Sequence, residues 1–246
     1  MRQAMVFAAG LGTRLRPITD NIPKALVPIG GQPLLWHVLM KLKTDGFERV
    51  VVNVHHFANQ IIDYIRVNDC FGLDIRISDE QGMLLETGGG IRKALPLFES
   101  DSPVLIHNVD ILSNAELSHF YEDMVGNKDV DALLLVSQRK TKRYLLFDDS
   151  LQLVGWTNIE THEVKSPLQH LLVEQQKMLA FSGIHIVAPS MFPLFAAATE
   201  RFPIMDFYLK HCAGTKIKGV CQQNLRLLDV GKLDSLVQAE QFVNLV

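Results

Sequence analysis

The stretch that most constrains the fold lies in the first thirty residues. Met5-Val6-Phe7-Ala8-Ala9 is a short apolar run that opens directly into Gly10-Leu11-Gly12-Thr13-Arg14-Leu15-Arg16-Pro17. Pro23-Lys24-Ala25-Leu26-Val27-Pro28 follows. An apolar run of this length, stopped by glycine, reads as a buried strand, expected here over residues 3–9. Gly10 and Gly12 permit a sharp turn and leave N–H groups to face a ligand. Arg14 and Lys24 add fixed positive charge beside those donors. Together they describe a polyphosphate pocket at the C-terminal edge of a strand, where open α/β sheets bind ligands.

Two common phosphate motifs do not fit. A dinucleotide fingerprint needs a third glycine where this chain has Leu15, and a Walker loop needs a G-K-[ST] ending that is absent. The loop over 10–31 is long for a compact domain, and loops of that length are usually functional. Beyond it, Leu34, Leu35, Val38, Leu39 and Leu42 recur at helical spacing, and Gly46 closes that helix. Residues 49–54 are almost unbroken β-branched sequence, as in a parallel strand covered on both faces. A helix over 58–67 and a strand over 74–78 complete β-α-β-α-β. The expected fold is a Rossmann-like, doubly wound, mostly parallel mixed sheet in one α/β domain. Further elements are expected as a helix over 88–98, a strand over 103–107, a helix over 115–124 and a strand over 131–137.

After Arg139 the pattern changes. Residues 143–147 and 151–156 read as a hairpin with Asp148-Asp149-Ser150 as its turn. Residues 157–177 are polar and weakly periodic, a lid or loop. A strand over 179–187, helices over 190–197 and 205–211, and short strands over 217–221 and 225–228 follow. The closing helix over 233–243 is expected to place Leu233, Leu236, Val237 and Val243 on one face. The expected organisation is one domain, 1–246, with one lobe over 1–138 to hold the nucleotide and a second over 139–246 to build the other substrate's side. No hexapeptide repeat follows, so an appended left-handed β-helix is not expected.

The net charge of −3 gives no support for a nucleic-acid or membrane partner, so the local Lys and Arg must serve local tasks. Cys70, Cys212 and Cys221 are odd in number and widely spaced, which suits a reducing cytoplasm rather than a disulfide framework. The chain goes straight into a strand without a signal-peptide core, and no apolar run approaches transmembrane length, so a cytoplasmic protein is expected.

Val104-Leu105-Ile106-His107-Asn108-Val109-Asp110 is a buried strand ending in a carboxylate. Leu227-Leu228-Asp229-Val230-Gly231 repeats the arrangement before the last helix. An acid ending a strand is often only a cap or turn residue. Two of them on one sheet edge suit Mg²⁺, which takes one or two carboxylates and fills its shell with phosphate oxygens and water. Leu85-Glu86-Thr87-Gly88-Gly89-Gly90 opens a helix whose first turn offers unpaired N–H groups and close backbone approach, or else serves as a flexible loop with a cap. His55 and His56 follow a strand. Adjacent strand residues point to opposite faces, so a structural or loop role is expected rather than a metal pair. There is no G-x-S-x-G and no activated cysteine.

The order G-x-G-T-R-x-x-P, then P-K, then a strand-ending Asp and a late D-V-G, closely resembles the sugar-1-phosphate nucleotidyltransferases. L-E-T-G-G-G-I-x-K-A-L with Phe181-Ser182-Gly183-Ile184 is most similar to the N-acetylmuramate-1-phosphate uridylyltransferases. The resemblance implies a nucleoside triphosphate and a sugar 1-phosphate as substrates and Mg²⁺ as cofactor. It assigns Ala8, Ala9 and Gly10 to the nucleoside, with Gly12 and Thr13 on the nucleotide. It puts Glu80 and Gly88 beside the base, Arg14 and Lys24 on the triphosphate, and Glu86, Asn108 and Gly183 on the substrate side. Asp110 and Asp229 would hold the metal, and Arg14, Lys24 and Asp110 would carry catalysis.

This sequence departs from the family in one place. Many relatives carry an E-K-P after the hairpin, whose lysine holds the sugar phosphate, and a Tyr-Gly in the strand before it. Here the region near Trp156-Thr157-Asn158-Ile159 has no such triplet, and Tyr144 is followed by Leu145. Arg139, Lys142 and Arg143 are the candidates by charge. The expected reaction is NTP + sugar 1-phosphate → NDP-sugar + pyrophosphate, with UTP and N-acetylmuramate 1-phosphate favoured, in a monomer or small homo-oligomer. Alternatives are a GTP- or dTTP-dependent hexose or heptose 1-phosphate enzyme, a phosphocholine cytidylyltransferase, or a non-catalytic nucleotide-sugar sensor.

Overall fold

The computed structural model describes residues 1–244. Strand β1 (Gln3–Phe7) leads through the long loop to a minimal hairpin, β2 (Pro28–Ile29) and β3 (Gln32–Pro33), and then α1 (Leu34–Thr44), β4 (Arg49–Val54), α2 (Ala58–Val67) and β5 (Asp74–Asp79). Next come α3 (Glu86–Ala94), β6 (Val104–Asn108), β7 (Ile111–Ser113), α4 (Leu117–Gly126) and β8 (Ala132–Ser137). The hairpin β9 (Arg143–Phe147) and β10 (Leu153–Asn158), the short β11 (Glu163–Lys165) and the long β12 (Lys177–Val187) follow. The chain closes with α5 (Phe192–Ala197), α6 (Ile204–His211), β13 (Ile217–Cys221), β14 (Leu227–Asp229) and α7 (Asp234–Val243).

The main sheet runs β11-β10-β9-β12-β6-β1-β4-β5, with β8 branching from β12 and β13 pairing with β8. Strand β1 is parallel to both β4 and β6, and β12 is antiparallel to β6. The chain therefore winds outward from β1 to β4 and β5, and returns to its other side at β6. Beyond the C-terminal ends of β1 and β6 lies the switch point where such sheets form a crevice.

Successive strand side chains point to opposite faces. On one face Ala4, Val6, Val50 and Val52 pack with Leu35 and Leu39 of α1, Ile61 of α2 and Phe120 of α4. On the other, Met5, Val51 and Ile106 pack with Ile91 of α3, Phe195 of α5 and Tyr208 of α6. Helices on both faces explain why β4 carries no polar alternation. Each fully buried Leu or Ile contributes about 1.5–3 kcal/mol. The result is one α/β domain with a mixed, mostly parallel central sheet. No helix among the described residues is long and apolar enough to cross a membrane.

Several elements differ from the sequence reading; the segment 157–177, expected as a lid or loop, carries the end of β10 and the whole of β11. Strand β1 stops at Phe7, because the N–H groups of Ala8 and Ala9 leave the ladder for the side chain of Asn53. Helix α3 starts at Glu86, ahead of the glycines. In α7 the core-facing stripe is Leu236, Ala239, Phe242 and Val243. Leu233 precedes the helix and Val237 lies a quarter turn off that stripe, so both are exposed, Val237 by 69%.

Candidate active site

The glycine turn is shaped from within. Gly12 sits at φ +65°, and a Cβ there would lie 3.0 Å from Thr19 Cγ2 and 3.1 Å from Lys24 Cβ. Its carbonyl accepts from the Leu15 N–H at 2.9 Å and from Thr19 Oγ1 at 2.8 Å. These bonds fold 13–15 into a 3₁₀ turn that carries Arg14. Gly10 has nothing within 4 Å of where a Cβ would stand. It opens onto a cavity of ≈ 430 Å³ whose lining includes Ala8, Ala9, Thr13, Lys24, Glu80 and Asp110.

Opposite the turn, β6 ends at Asn108 and the chain turns into β7. The Asp110 carboxylate meets the Lys24 ammonium in an ion pair that is largely buried on both sides. Strand β14 lies antiparallel to β7 with Asp229 beside Ile111, and the Val230 N–H donates to the Asp110 carbonyl at 2.8 Å. The two acids thus share one corner of the sheet. Gly231 makes room for Asp229 and Arg14: a Cβ there would stand 2.6 Å from Asp229 Oδ1 and 2.9 Å from Arg14 Nη2. Asn108 meets Gly183, whose φ of +79° and tight fit, 2.9 Å from a Cβ to Asn108 Nδ2, leave room for glycine alone.

Arg14 also lines a second cavity of ≈ 670 Å³, formed by β9, β10, β11 and the start of α6. Its cations are Arg14, Arg139, Arg143 and Lys165, and its acids include Glu163, Asp206 and Asp229. Lys165 pairs in register with Trp156, places its ammonium 5.4 Å from that ring's centre, and lies 3.6 Å from Asp206. The geometry therefore joins a cavity with an amide-and-cation wall to a second, cationic one through a single arginine. A nucleoside triphosphate in the first could present its phosphates to an anion in the second.

The family model for nucleotidyl transferases matches residues 3–146. This chain belongs to the nucleotidyl transferase family. It is similar to the N-acetylmuramate alpha-1-phosphate uridylyltransferase of Caulobacter vibrioides, with 49% identity over 109 residues, 44% of this chain and 45% of that protein. The enzyme of the same name from Neisseria meningitidis serogroup B is 40% identical over 121 residues, 49% of this chain and 52% of that one. The chain thus spans about half the length of these curated relatives. Among solved structures, HddC from Yersinia pseudotuberculosis, complexed with GMP-PN, superposes with a TM-score of 0.74 at 22% identity, covering 98% of this chain and 99% of that one. That likeness concerns the fold.

In this family member, most residues singled out from the sequence come together. Ala8, Ala9, Gly10, Gly12, Thr13, Arg14, Lys24, Glu80, Glu86, Asn108 and Asp110 all line the first cavity. Asp229 lines the second, and Gly183 abuts Asn108. Gly88 is a correction. It is buried beneath Phe202, where a Cβ would lie 2.2 Å from the ring, and its N–H donates to the Phe202 carbonyl at 2.9 Å. Gly89 donates to the same carbonyl, so neither offers a free N–H to a ligand. The glycines exist to let α3 pack against the 200–202 loop. Glu86, at φ +63°, turns its carboxylate to Arg201 at 3.1 Å.

Of the basic candidates, Lys142 pairs with Glu160 at 2.8 Å, and Arg139 and Arg143 line the second cavity. His55 Nδ1 holds the Glu80 carbonyl at 2.6 Å and His56 stacks on Phe57, so the pair is structural. His107 is buried, which lowers its pKa to about 4 and keeps it neutral behind Asp110. Two residues escaped the sequence reading. Asn53 breaks the apolar run of β4 after Val50-Val51-Val52. Lys165 lies in Glu163-Val164-Lys165-Ser166-Pro167, which has an acid, a lysine and a proline in the family's order but spaced by one residue. The polar break in the strand and that spaced triplet were the available signals.

Proposed function

We propose that this chain transfers a nucleotidyl group from a nucleoside triphosphate to a sugar 1-phosphate and releases pyrophosphate. UTP and N-acetylmuramate 1-phosphate are the favoured pair, on the similarity to the two uridylyltransferases. The observation that carries the reading is the pair of cavities meeting at Arg14, one walled by the glycine turn, Lys24 and Asp110, the other by Arg139, Arg143 and Lys165. A phosphate oxygen of the sugar phosphate attacks the α-phosphorus in line. The bond from that phosphorus to the bridging oxygen breaks, and pyrophosphate departs with the electron pair. The nucleophile is already an anion, so no side chain need remove a proton. Catalysis then rests on holding the two phosphates in line and neutralising charge that shifts onto the leaving group.

Each residue has a role in this reading. The Gly10–Thr13 backbone and Arg14 cradle the triphosphate, and Lys24 neutralises charge on it. Lys165, with Arg139 and Arg143, holds the sugar phosphate, replacing the contiguous E-K-P of relatives. Having more than one cation here suits a sugar phosphate that bears a further acid group. The chemistry of the acid pair fits Mg²⁺: two carboxylates brought together by the β7–β14 pairing, with phosphate oxygens and water to fill the remaining positions. Asp110 and Asp229 would hold it, and when bound it supplies charge neutralisation at the reacting phosphates.

The test is pyrophosphate release across UTP, GTP, CTP and dTTP combined with N-acetylmuramate, glucose, mannose and heptose 1-phosphates and phosphocholine. Release with UTP and N-acetylmuramate 1-phosphate at the highest kcat/KM is expected. Release with phosphocholine and CTP would make it a cytidylyltransferase. No release with any pair, alongside tight UDP-sugar binding, would make it a sensor.

A further inference from the structure

Between the two walls of the first cavity lies a closed set of buried hydrogen bonds. Asn53, at the C-terminal end of β4, is 2% exposed, and Glu80, just beyond β5, is 1% exposed. Asn53 Oδ1 accepts from the N–H of Ala8 at 2.7 Å and of Ala9 at 3.3 Å. Its Nδ2 donates to Glu80 Oε1 at 2.7 Å. Glu80 Oε2 accepts from the Leu85 N–H at 3.2 Å. The main chain of Glu80 is held as well, its N–H by the Val54 carbonyl at 2.7 Å and its carbonyl by His55 Nδ1 at 2.6 Å. Gly90 closes the set from above, since a Cβ there would stand 3.0 Å from Glu80 Oε1 and 3.3 Å from Asn53 Nδ2.

We infer that Asn53 and Glu80 are positioning residues for the nucleotide, a bracket that fixes the Ala8–Gly10 turn against the wall running from Glu80 to Thr87. Residues 53–55 grip one wall by its main chain and, through one amide, hold the other. Both carboxylate oxygens of Glu80 already accept from the protein. Its contribution to base recognition is therefore the placement of Ala8, Ala9 and Leu85, with the cleft width set before any ligand arrives. A buried polar group left without its partner costs far more than the bond contributes, so the set is held in one arrangement. The inference rests on the proposed function for what occupies the cleft, while the bracket itself is a property of the free protein.

The polarity of the set supplies its own test. Asn53→Asp faces Glu80 with a second carboxylate, and the KM for UTP is expected to rise about 10- to 100-fold with a smaller change in kcat. Glu80→Gln sets a donor against Asn53 Nδ2 and is expected to weaken UTP binding in the same direction. Combining N53D with E80Q reverses both roles and satisfies every bond again. Asp at 53 accepts from Ala8, Ala9 and the new amide, whose oxygen accepts from Leu85. The double variant is expected to return to within about threefold of the parent KM. A double variant that folds but stays as impaired as N53D overturns the inference, because the Glu80 charge itself would then be what the nucleotide needs.

Amide exchange separates this result from failure of the functional reading. In the nucleotide-free protein the Ala8 and Ala9 amides are expected to be protected, and protection is expected to be lost in Asn53→Ala. Fast exchange at both in the unaltered protein overturns the bracket even if the variants fail to fold. Protected amides with no turnover on any substrate pair overturn only the assigned reaction.

Discussion

Beside the glycine turn, Lys24, Asn53 and Glu80 are buried with their polar atoms bonded inside the protein, whereas the ion-paired side chains Lys165, Glu163 and Asp206 around the second cavity are exposed. Lys24, Asn53 and Glu80 are each under a tenth exposed. The side chains of Lys165, Glu163 and Asp206 are 46%, 53% and 57% exposed, and their ion pairs lie at 3.6–3.8 Å. Buried, fully bonded groups resist change, because removing one leaves its partner unsatisfied. Exposed ion pairs contribute at most about 1 kcal/mol each, so they can be exchanged at little cost to the fold. Under the proposed function, the difference suits a triphosphate side that resists change and an acceptor side that can adapt to one sugar.

The sharpest way to break this contrast is Asp110→Asn. It keeps the shape of the side chain but removes the charge opposite Lys24. Turnover in the pyrophosphate-release assay is expected to fall about 10²- to 10³-fold, the scale for losing one charge-stabilising group at a reacting centre. Near-normal turnover would remove Asp110 from the site, and with it the idea that the buried half carries the chemistry.

The legibility of the sequence follows the same division. Strands β4 and β6 and helices α1 and α2 could be read almost to the residue, because both sheet faces are covered and the apolar periods are strong. The glycine turn, Lys24, Asp110 and Asp229 were readable because backbone geometry and charge restrict those positions to few residue types. Gly88 was misplaced because a glycine that admits a ligand and a glycine that admits Phe202 look alike in sequence. Asn53 was hidden because its partners, Ala8 and Ala9, are about 45 residues away. Lys165 was hidden because the hairpin β10–β11, not local sequence, carries it back over Trp156.

A pH measurement asks whether the scaffold beneath both cavities behaves as one unit. His107 on β6 and His185 on β12 are fully buried on opposite sheet faces, and burial lowers their pKa values to about 4 and about 3. In the unfolded chain each returns to the usual value near 6.5. As pH falls below that value the unfolded chain binds protons that the folded one does not, so stability is lost on acidification. At pH 5 the loss is about 2 kcal/mol for each histidine, fully regained above pH 7. Urea midpoints at pH 7.5 and pH 5 measure it, and one cooperative transition at both is the expected outcome. Loss of structure confined to residues 139–187 would split the two halves.

Two glycines sharpen the comparison at smaller cost. Gly88→Ala drives a methyl into Phe202 and is expected to destabilise by about 1–3 kcal/mol, read as a lowered Tm. Gly10→Ala meets no protein atom within 4 Å, so its Tm is expected to stay close to the parent while its methyl narrows the nucleotide cavity and raises the KM for the triphosphate. The reverse pattern would mean that Gly88, not Gly10, faces the ligand.

Lys165→Met is the mildest change and the most specific to the acceptor side. The Lys165 ammonium shares its surroundings with Trp156, Glu163 and Asp206, none of which depends on it for burial, so the fold is expected to tolerate methionine. A charge-assisted contact to a phosphate at a partly exposed site is worth about tenfold in binding. The KM for the sugar phosphate is therefore expected to rise about tenfold, with the KM for the triphosphate unchanged. An equal rise in both would place Lys165 on the shared phosphates. The exchangeable half of the site would then rest on Arg139 and Arg143.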